Sequence, residues 1–122
     1  MKKTIFIIGM FVIAASSCSK SDGRGPETGP GTDDLIDCTN VAATFTADVN
    51  LIIQTSCATN SGCHGSGSTN GPGQLLTYDQ IFNARIAIRF AVTSGAMPLG
   101  SKLSTIQKNT IACWVDNGGP EN

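Results

Sequence analysis

The chain of 122 residues is poor in histidine and in charge, since it contains one histidine and only 14% charged residues. Its 8 basic and 9 acidic side chains give a net charge of −1. The chain therefore lacks the basic surplus with which proteins attract nucleic acid or an anionic membrane surface. Long hydrophobic runs are also missing, because the apolar stretch at residues 5–15 is too short to cross a bilayer comfortably.

The first residues are typical of an export signal. Lys2 and Lys3 precede the apolar stretch, which ends in two serines and Cys18. A cysteine after small residues at this point resembles the lipobox of bacterial lipoproteins, which predicts that residues 1–17 are removed and that Cys18 carries lipid. Ordinary secretion, with Cys18 playing no part, is the alternative. We therefore expect an exported, membrane-anchored lipoprotein that faces the periplasm or the cell surface.

Composition divides the remainder into a tether and a domain. Residues 18–36 are rich in glycine, proline and polar residues and have no apolar period, which predicts a flexible tether. Residues 37–122 form the predicted domain. A hydrophobic core alone is marginal at this size, so a cofactor or a disulfide is expected to contribute to stability.

The segment SCATNSGCHG contains Cys57, Cys63 and His64, the only histidine. Two thiols beside an imidazole indicate metal or haem chemistry. In c-type haem attachment, two cysteines bond to the porphyrin vinyl groups and the adjacent histidine binds the iron. The usual spacing is C-x-x-C-H, whereas five residues separate the two cysteines here.

A second axial ligand would have to come from another residue type, because there is no second histidine. Met97 is the candidate, since it is the only methionine outside the predicted signal and lies in the turn-rich segment SGAMP. Glycine permits close approach of the backbone there, and Pro98 restricts Met97 to an extended conformation. A thioether ligand raises the reduction potential of haem iron. The alternative is a methionine that fills a gap in the core.

Apolar spacing and capping residues predict three helices and no strand of useful length, which indicates the all-α class. The first follows Thr46 and runs into the cysteine motif. The second, residues 78–92, follows Thr77, and the third spans roughly residues 104–117, capped by Ser104 or Ser101, and ends at Gly118. The predicted apolar stripe of the second helix is Ile81, Phe82, Ile86 and Phe90, and the predicted inner face of the third is Leu103, Ile106, Thr110, Cys113 and Trp114.

Residues 47–120 resemble a small monohaem cytochrome c domain of bacterial lipoproteins. The resemblance is carried by SCATNSGCHG, LLTYDQIFNARIAI, SGAMP and IACWVDNGGP. It implies a cytochrome c-like fold of three to four short helices with long loops around one covalent haem c. It further implies that Cys57 and Cys63 form the thioethers, that His64 is the proximal ligand and that Met97 is the distal ligand. Such a protein is an electron carrier between redox protein partners rather than an enzyme.

The other residues of the predicted site are assigned with the resemblance in view. If Cys18 carries lipid, the four remaining cysteines allow three pairings, and haem attachment at the motif is consistent with a Cys38–Cys113 disulfide. Arg85, on one helix face with Arg89, is a candidate partner of the haem propionates, and a solvated helix face is the alternative. Trp114 would pack on the haem or donate to a propionate, with ordinary helix packing as the alternative.

Three other functions fit the same motif. A haem-free binding or scaffold lipoprotein would join Cys57 to Cys63 in a disulfide. A structural zinc site would use these two cysteines, His64 and a fourth cysteine. Catalysis at the iron is the least supported, because no second histidine offers a general base beside it.

Overall fold

The computed structural model describes residues 35–122, so the predicted signal, Cys18 and most of the predicted tether lie outside the described residues. Within that range the regular structure is helical, as the sequence predicts. No helix there is long and apolar enough to cross a membrane. The elements are a π-helical turn at Phe45–Val49 that continues into α1 at Asn50–Ser56, then α2 at Tyr78–Thr93 and α3 at Thr105–Asp116.

The first helical segment begins two residues before the predicted start. Thr44, in an extended conformation, is the cap, and its hydroxyl oxygen accepts a hydrogen bond from the Ala47 backbone N–H. The Thr44 N–H and hydroxyl both donate to Asp48 at 2.8 Å. The prediction of Thr46 as the cap was wrong because it left Phe45, which is buried, outside the apolar face of the helix.

The predicted starts of the other two helices are confirmed. Thr77 and Gln80 exchange hydrogen bonds between side chain and backbone in both directions, at 3.3 and 3.2 Å. Ser104 and Gln107 do the same at 3.2 and 2.9 Å, which selects Ser104 over Ser101 as the cap of α3. Each pair is a capping box, in which the orphan donors of the first turn are satisfied locally.

An aromatic cluster joins the helices. The Phe45 ring lies 4.9 Å from that of Tyr78, almost perpendicular to it, and 5.8 Å from that of Trp114. Trp114 is 1% exposed, so α3 is anchored at the centre of the fold. The other core residues are Val49, Ile53, Cys57, Leu75, Ile81, Ile88, Val92, Leu103, Ile111 and Val115.

The chain after α3 returns to the start of the π-helical turn. Gly118 has φ of +93°, which confirms it as the left-handed residue that ends the helix. The Trp114 indole N–H then donates to the Pro120 carbonyl at 2.9 Å. The Asn122 side chain accepts from the Phe45 backbone N–H at 2.9 Å. The return segment therefore satisfies an orphan donor of the first helical segment.

The predicted apolar stripe of α2 was wrong in part. Ile86 is 65% exposed and Phe90 is 72% exposed. The buried face contains Ile81, Ile88 and Val92, which lie seven and four residues apart and therefore share one side of the helix. Ile86 and Phe90 lie near the opposite side, so a single stripe could not include both sets.

One position of the predicted inner face of α3 was also wrong. Ile106, in the first turn of α3, is 78% exposed, whereas Leu103, Cys113 and Trp114 are buried as predicted. Leu103 precedes the helix cap, so the helical spacing from which the inner face was predicted does not apply to it. It takes the buried position at this end of α3.

The predicted Cys38–Cys113 disulfide is present, with 5.5 Å between the two Cα atoms. It joins the segment before the π-helical turn to the last turn of α3 over 75 residues of sequence. Cys113 is completely buried, whereas Cys38 is exposed. A cross-link over so long a loop restricts the unfolded chain strongly.

We expect Cys38→Ser to lower the free energy of unfolding by about 4 kcal/mol, the chain-entropy value for a loop of this length. The substitution removes the cross-link and leaves the buried Cys113 side chain in place. Urea unfolding of the oxidised proteins measures the difference. After reduction, the unfolding midpoints of wild type and variant should coincide. A variant with the wild-type midpoint before reduction would contradict the prediction.

Candidate functional site

Cys57 lies at the end of α1 and belongs to the core. Its backbone N–H donates to the Ile53 carbonyl at 2.8 Å, and the next N–H, of Ala58, donates to the same oxygen at 2.8 Å. Its side chain is 8% exposed and packs within the hydrophobic core. The first cysteine of the motif is therefore held by the helix and by packing.

His64 returns to Cys57 across the long gap. Its backbone N–H donates to the Cys57 carbonyl at 3.0 Å. In C-x-x-C-H the histidine follows the first cysteine by four residues, the separation that an ordinary α-helical hydrogen bond joins. Here it follows by seven, yet the same two groups are bonded. The additional residues form a bulge, and residues 59–62 are exposed.

The bulge is closed by hydrogen bonds to Asn60. The Asn60 carbonyl accepts from the N–H groups of Cys63 and Gly65 at 3.1 and 2.8 Å, and its side-chain oxygen accepts from the Gly62 N–H at 2.8 Å. A Cβ atom at Gly65 would lie 2.8 Å from the carbonyl carbon and oxygen of Asn60. Glycine is therefore required directly after His64.

The His64 imidazole is oriented by a backbone carbonyl. The residue is 8% exposed, and its Nδ1 lies 3.0 Å from the Gly73 oxygen. A carbonyl oxygen can only accept, so Nδ1 carries the hydrogen, and the neutral ring then has its lone pair on Nε2. Histidines that bind metal commonly donate their other ring N–H in this way. His64 is therefore prepared to bind a metal through Nε2.

The two thiols of the motif are not joined to each other. Cys57 is buried and Cys63 is exposed, and both are free. Burial, with a smaller contribution from the nearby Cys63, raises the pKa of Cys57 to about 11. Cys57 is consequently protonated at neutral pH, a state in which a thiol is a weak nucleophile.

Met97 comes from a separate segment, after α2. Its backbone N–H donates to the Ala91 carbonyl at 3.1 Å, and Gly95, with φ of +73°, lets the chain turn back. The Met97 side chain is half-buried, and Leu99, two residues later, is 81% exposed. The last turn of α2 therefore fixes the backbone of the predicted distal ligand.

The two arginines of α2 make contacts within the protein. The Arg85 guanidinium lies 3.8 Å above the Phe82 ring and donates to the Phe82 carbonyl at 2.8 Å. Arg89 forms two hydrogen bonds, of 2.8 and 2.9 Å, with Asp116 at the end of α3. Arg89 therefore links α2 to α3.

The Trp114 side chain is buried in the core, and its N–H is already hydrogen-bonded. Its ring packs near Phe45, and its indole N–H is donated to Pro120. These contacts favour helix packing, the alternative that the sequence offered for this residue.

Sequence reasoning missed the roles of two elements that build the site. The Gly73 carbonyl orients the imidazole, but a backbone acceptor has no side-chain signature in the sequence. The glycine after His64 was visible in the sequence. Its steric role depends on how the bulge folds, which spacing does not reveal.

A zinc site finds little support in this arrangement. Within residues 35–122, no three His, Cys, Asp or Glu side chains are grouped so as to hold a metal ion. A structural zinc ion usually has four such ligands. Cys38 and Cys113 are bonded to each other, so neither offers a thiolate to the motif.

Comparisons with protein-family models, with curated proteins and with solved structures give no match. The function is therefore inferred from the residues of this chain.

We expect Gly65→Ala to lower the free energy of unfolding by about 1–3 kcal/mol, the usual effect of forcing a methyl group into a packed site. The backbone of Asn60 would have to move to make room. Gly71→Ala is the matched control in the same loop, because a Cβ there has nothing within 4 Å. It should change stability by no more than about 0.5 kcal/mol. Equal effects of the two substitutions in urea unfolding would contradict the assignment.

Proposed function

We propose that this protein is an exported, lipid-anchored monohaem cytochrome c that carries single electrons between redox protein partners. Cys57 and Cys63 would form the thioether bonds, and His64 and Met97 would be the axial ligands. The observation that supports this most is the hydrogen bond from the His64 backbone N–H to the Cys57 carbonyl. It brings the histidine back to the first cysteine, which a four-residue separation on a helix would do in C-x-x-C-H.

The donor set fits haem c. Covalent attachment needs two free thiols, which Cys57 and Cys63 supply, while the other two cysteines of the domain are joined to each other. Axial ligation needs an imidazole with a free Nε2 and a second donor, and His64 and the half-buried Met97 meet these needs.

Apolar side chains next to both ligand segments also fit a large flat cofactor. Leu76 is 38% exposed and follows Leu75, whose N–H is bonded to the His64 carbonyl at 2.9 Å. Leu99 is 81% exposed and lies two residues after Met97. Burying such side chains against a porphyrin would be favourable. A domain of this size would consequently gain stability on binding the cofactor.

The haem iron, when bound, supplies the one-electron exchange, and the protein supplies ligation, burial and orientation. Donation of Nδ1–H to a carbonyl makes His64 a stronger ligand, whereas the thioether of Met97 favours reduced iron. Residues 57–77 and 90–101, which include all four proposed ligands, contain no Asp, Glu, Lys or Arg. Charged side chains of these two segments would therefore not contribute to the reduction potential of the haem.

Expression with a c-type maturation system should give a protein that retains one haem per chain after denaturing extraction. The measurement is the pyridine haemochrome spectrum. Cys57→Ser and Cys63→Ser should each shift the band to the position for a single thioether, and the double variant should release its haem. Cys38→Ser is the control, which should retain both thioethers.

Haem that extracts freely from the wild type, or no haem at all, would contradict the proposal. A second disulfide would lower the mass of the haem-free chain by two hydrogens beyond the two lost to the Cys38–Cys113 bond. That mass would favour the scaffold in which Cys57 is joined to Cys63.

Met97→Ala should abolish the near-infrared band of sulfur bound to ferric iron and lower the reduction potential, because the thioether stabilises the reduced state. Leu99→Ala is the neighbouring control, since a leucine side chain has no atom that can bind iron, and it should leave the band in place. A Met97→Ala protein with the wild-type spectrum would remove Met97 from the ligand set.

A further inference from the structure

We propose that Ser68 and Asn70 are positioning residues for His64. They hold the backbone that leads into the histidine and, through Gly73, the carbonyl that binds its ring. Together they would set the strength of the hydrogen bond from Nδ1–H to the Gly73 oxygen. The consequence for a haem potential depends on the proposed function, whereas the consequence for the imidazole does not.

Ser68 is one of the few buried polar residues of the described domain, with 6% exposure. Its hydroxyl donates to the Cys63 carbonyl, and the same oxygen accepts from the Asn70 N–H at 3.3 Å. Its own N–H donates to the Gly65 carbonyl at 3.1 Å. A buried hydroxyl that both donates and accepts is fixed in its orientation. Ser68 therefore holds the carbonyl group directly before His64.

Asn70 extends this support in two directions. Its side-chain N–H donates to the Gly62 carbonyl at 2.9 Å, so Asn70 and Ser68 hold the last two carbonyls before His64. Its backbone carbonyl accepts a hydrogen bond from the Gly73 N–H. Asn70 is thus connected both to the bulge and to the residue that orients the imidazole.

Gly73 needs this restraint. Its φ is +97°, in the region that glycine adopts freely and other residues rarely adopt. A glycine that was held at neither end could turn its carbonyl away from the ring at little cost. The bond from its N–H to Asn70 restricts that freedom, so the Gly73 oxygen stays aimed at Nδ1 of His64.

The neighbouring hydroxyl residues differ from Ser68. Ser66 and Thr69 are exposed, and their side chains make no hydrogen bond within the part of the chain that the structure describes. The support is therefore specific to Ser68 and Asn70 and is not shared by the whole loop. Ser66 provides a control of the same chemistry at two residues' distance.

The test compares the full-length chain with Ser68→Ala, Ser68→Thr, Asn70→Ala and Ser66→Ala. In the reduced haem protein, the exchange rate of the His64 Nδ1–H with solvent is measured by nuclear magnetic resonance, together with the reduction potential. Ser68→Ala should raise the exchange rate about tenfold, as expected when a typical hydrogen bond is weakened. It should also raise the potential, because the imidazole becomes a weaker donor.

Ser68→Thr, which keeps the hydroxyl, should restore both values, and Ser66→Ala should change neither. If Ser68→Ala lowers the melting temperature but leaves the exchange rate and the potential unchanged, the positioning role is overturned and Ser68 is only structural. If Ser68→Ala does not fold, the exchange rate and the reduction potential of Asn70→Ala test the positioning role instead. Its side chain is exposed and its removal breaks one bond, so a smaller effect of the same sign is expected.

A chain without haem would refute the proposed function but not this inference. The comparison is then made on the ¹⁵N shifts of the His64 ring. A change of tautomer balance in Ser68→Ala relative to wild type and to Ser66→Ala would support the positioning role, and identical shifts would overturn it.

Discussion

The hydrogen bond between the His64 N–H and the Cys57 carbonyl is the constraint on which the candidate site depends. One end is fixed, because the Cys57 N–H donates to the Ile53 carbonyl and the Cys57 side chain packs in the core. The other end carries the only imidazole of the chain. The bulge is closed by hydrogen bonds to Asn60, between these two groups. The segment that contains Gly73 contacts the His64 ring.

The position of Cys57 depends on how α1 is held against the rest of the domain. α1 continues from the π-helical turn, which is held to α3 by the contact of Phe45 with Trp114. The disulfide ties α3 at Cys113 to the segment before that turn. These contacts hold the core on the side where the three elements meet, while Leu76 and Leu99, beside the segments of the proposed ligands, are exposed.

Helix ends were predictable because capping is local. Thr77, Ser104 and Gly118 act through residues no more than a few positions away, so the sequence alone determines them. The exposure of Ile86, Phe90 and Ile106 was not predictable in this way. Which of several apolar positions is buried depends on where the partner helix lies, and the spacing within one helix does not contain that information.

The residue types of the candidate site are visible in the sequence, whereas their geometry is not. Two cysteines and one histidine in ten residues indicate the chemistry without any structure. The orientation of the ring comes from the Gly73 carbonyl nine residues away, in a segment with no side-chain signal. The prediction of Thr46 as the first helix cap was wrong for a similar reason, since the burial of Phe45 depends on its contacts with Tyr78 and Trp114, far along the chain.

The unusual spacing of the motif carries a small energetic penalty. Lengthening the segment between the bonded groups from four to seven residues adds about 0.5 kcal/mol of loop-closure entropy. The bulge gains three hydrogen bonds to Asn60, each worth about 0.5–1.5 kcal/mol. These bonds offset part of the cost of ordering the longer gap, and the His64 N–H still lies 3.0 Å from the Cys57 carbonyl oxygen. What the longer gap changes is the surface, because residues 59–62 now project into solvent as a polar, uncharged loop beside Cys63.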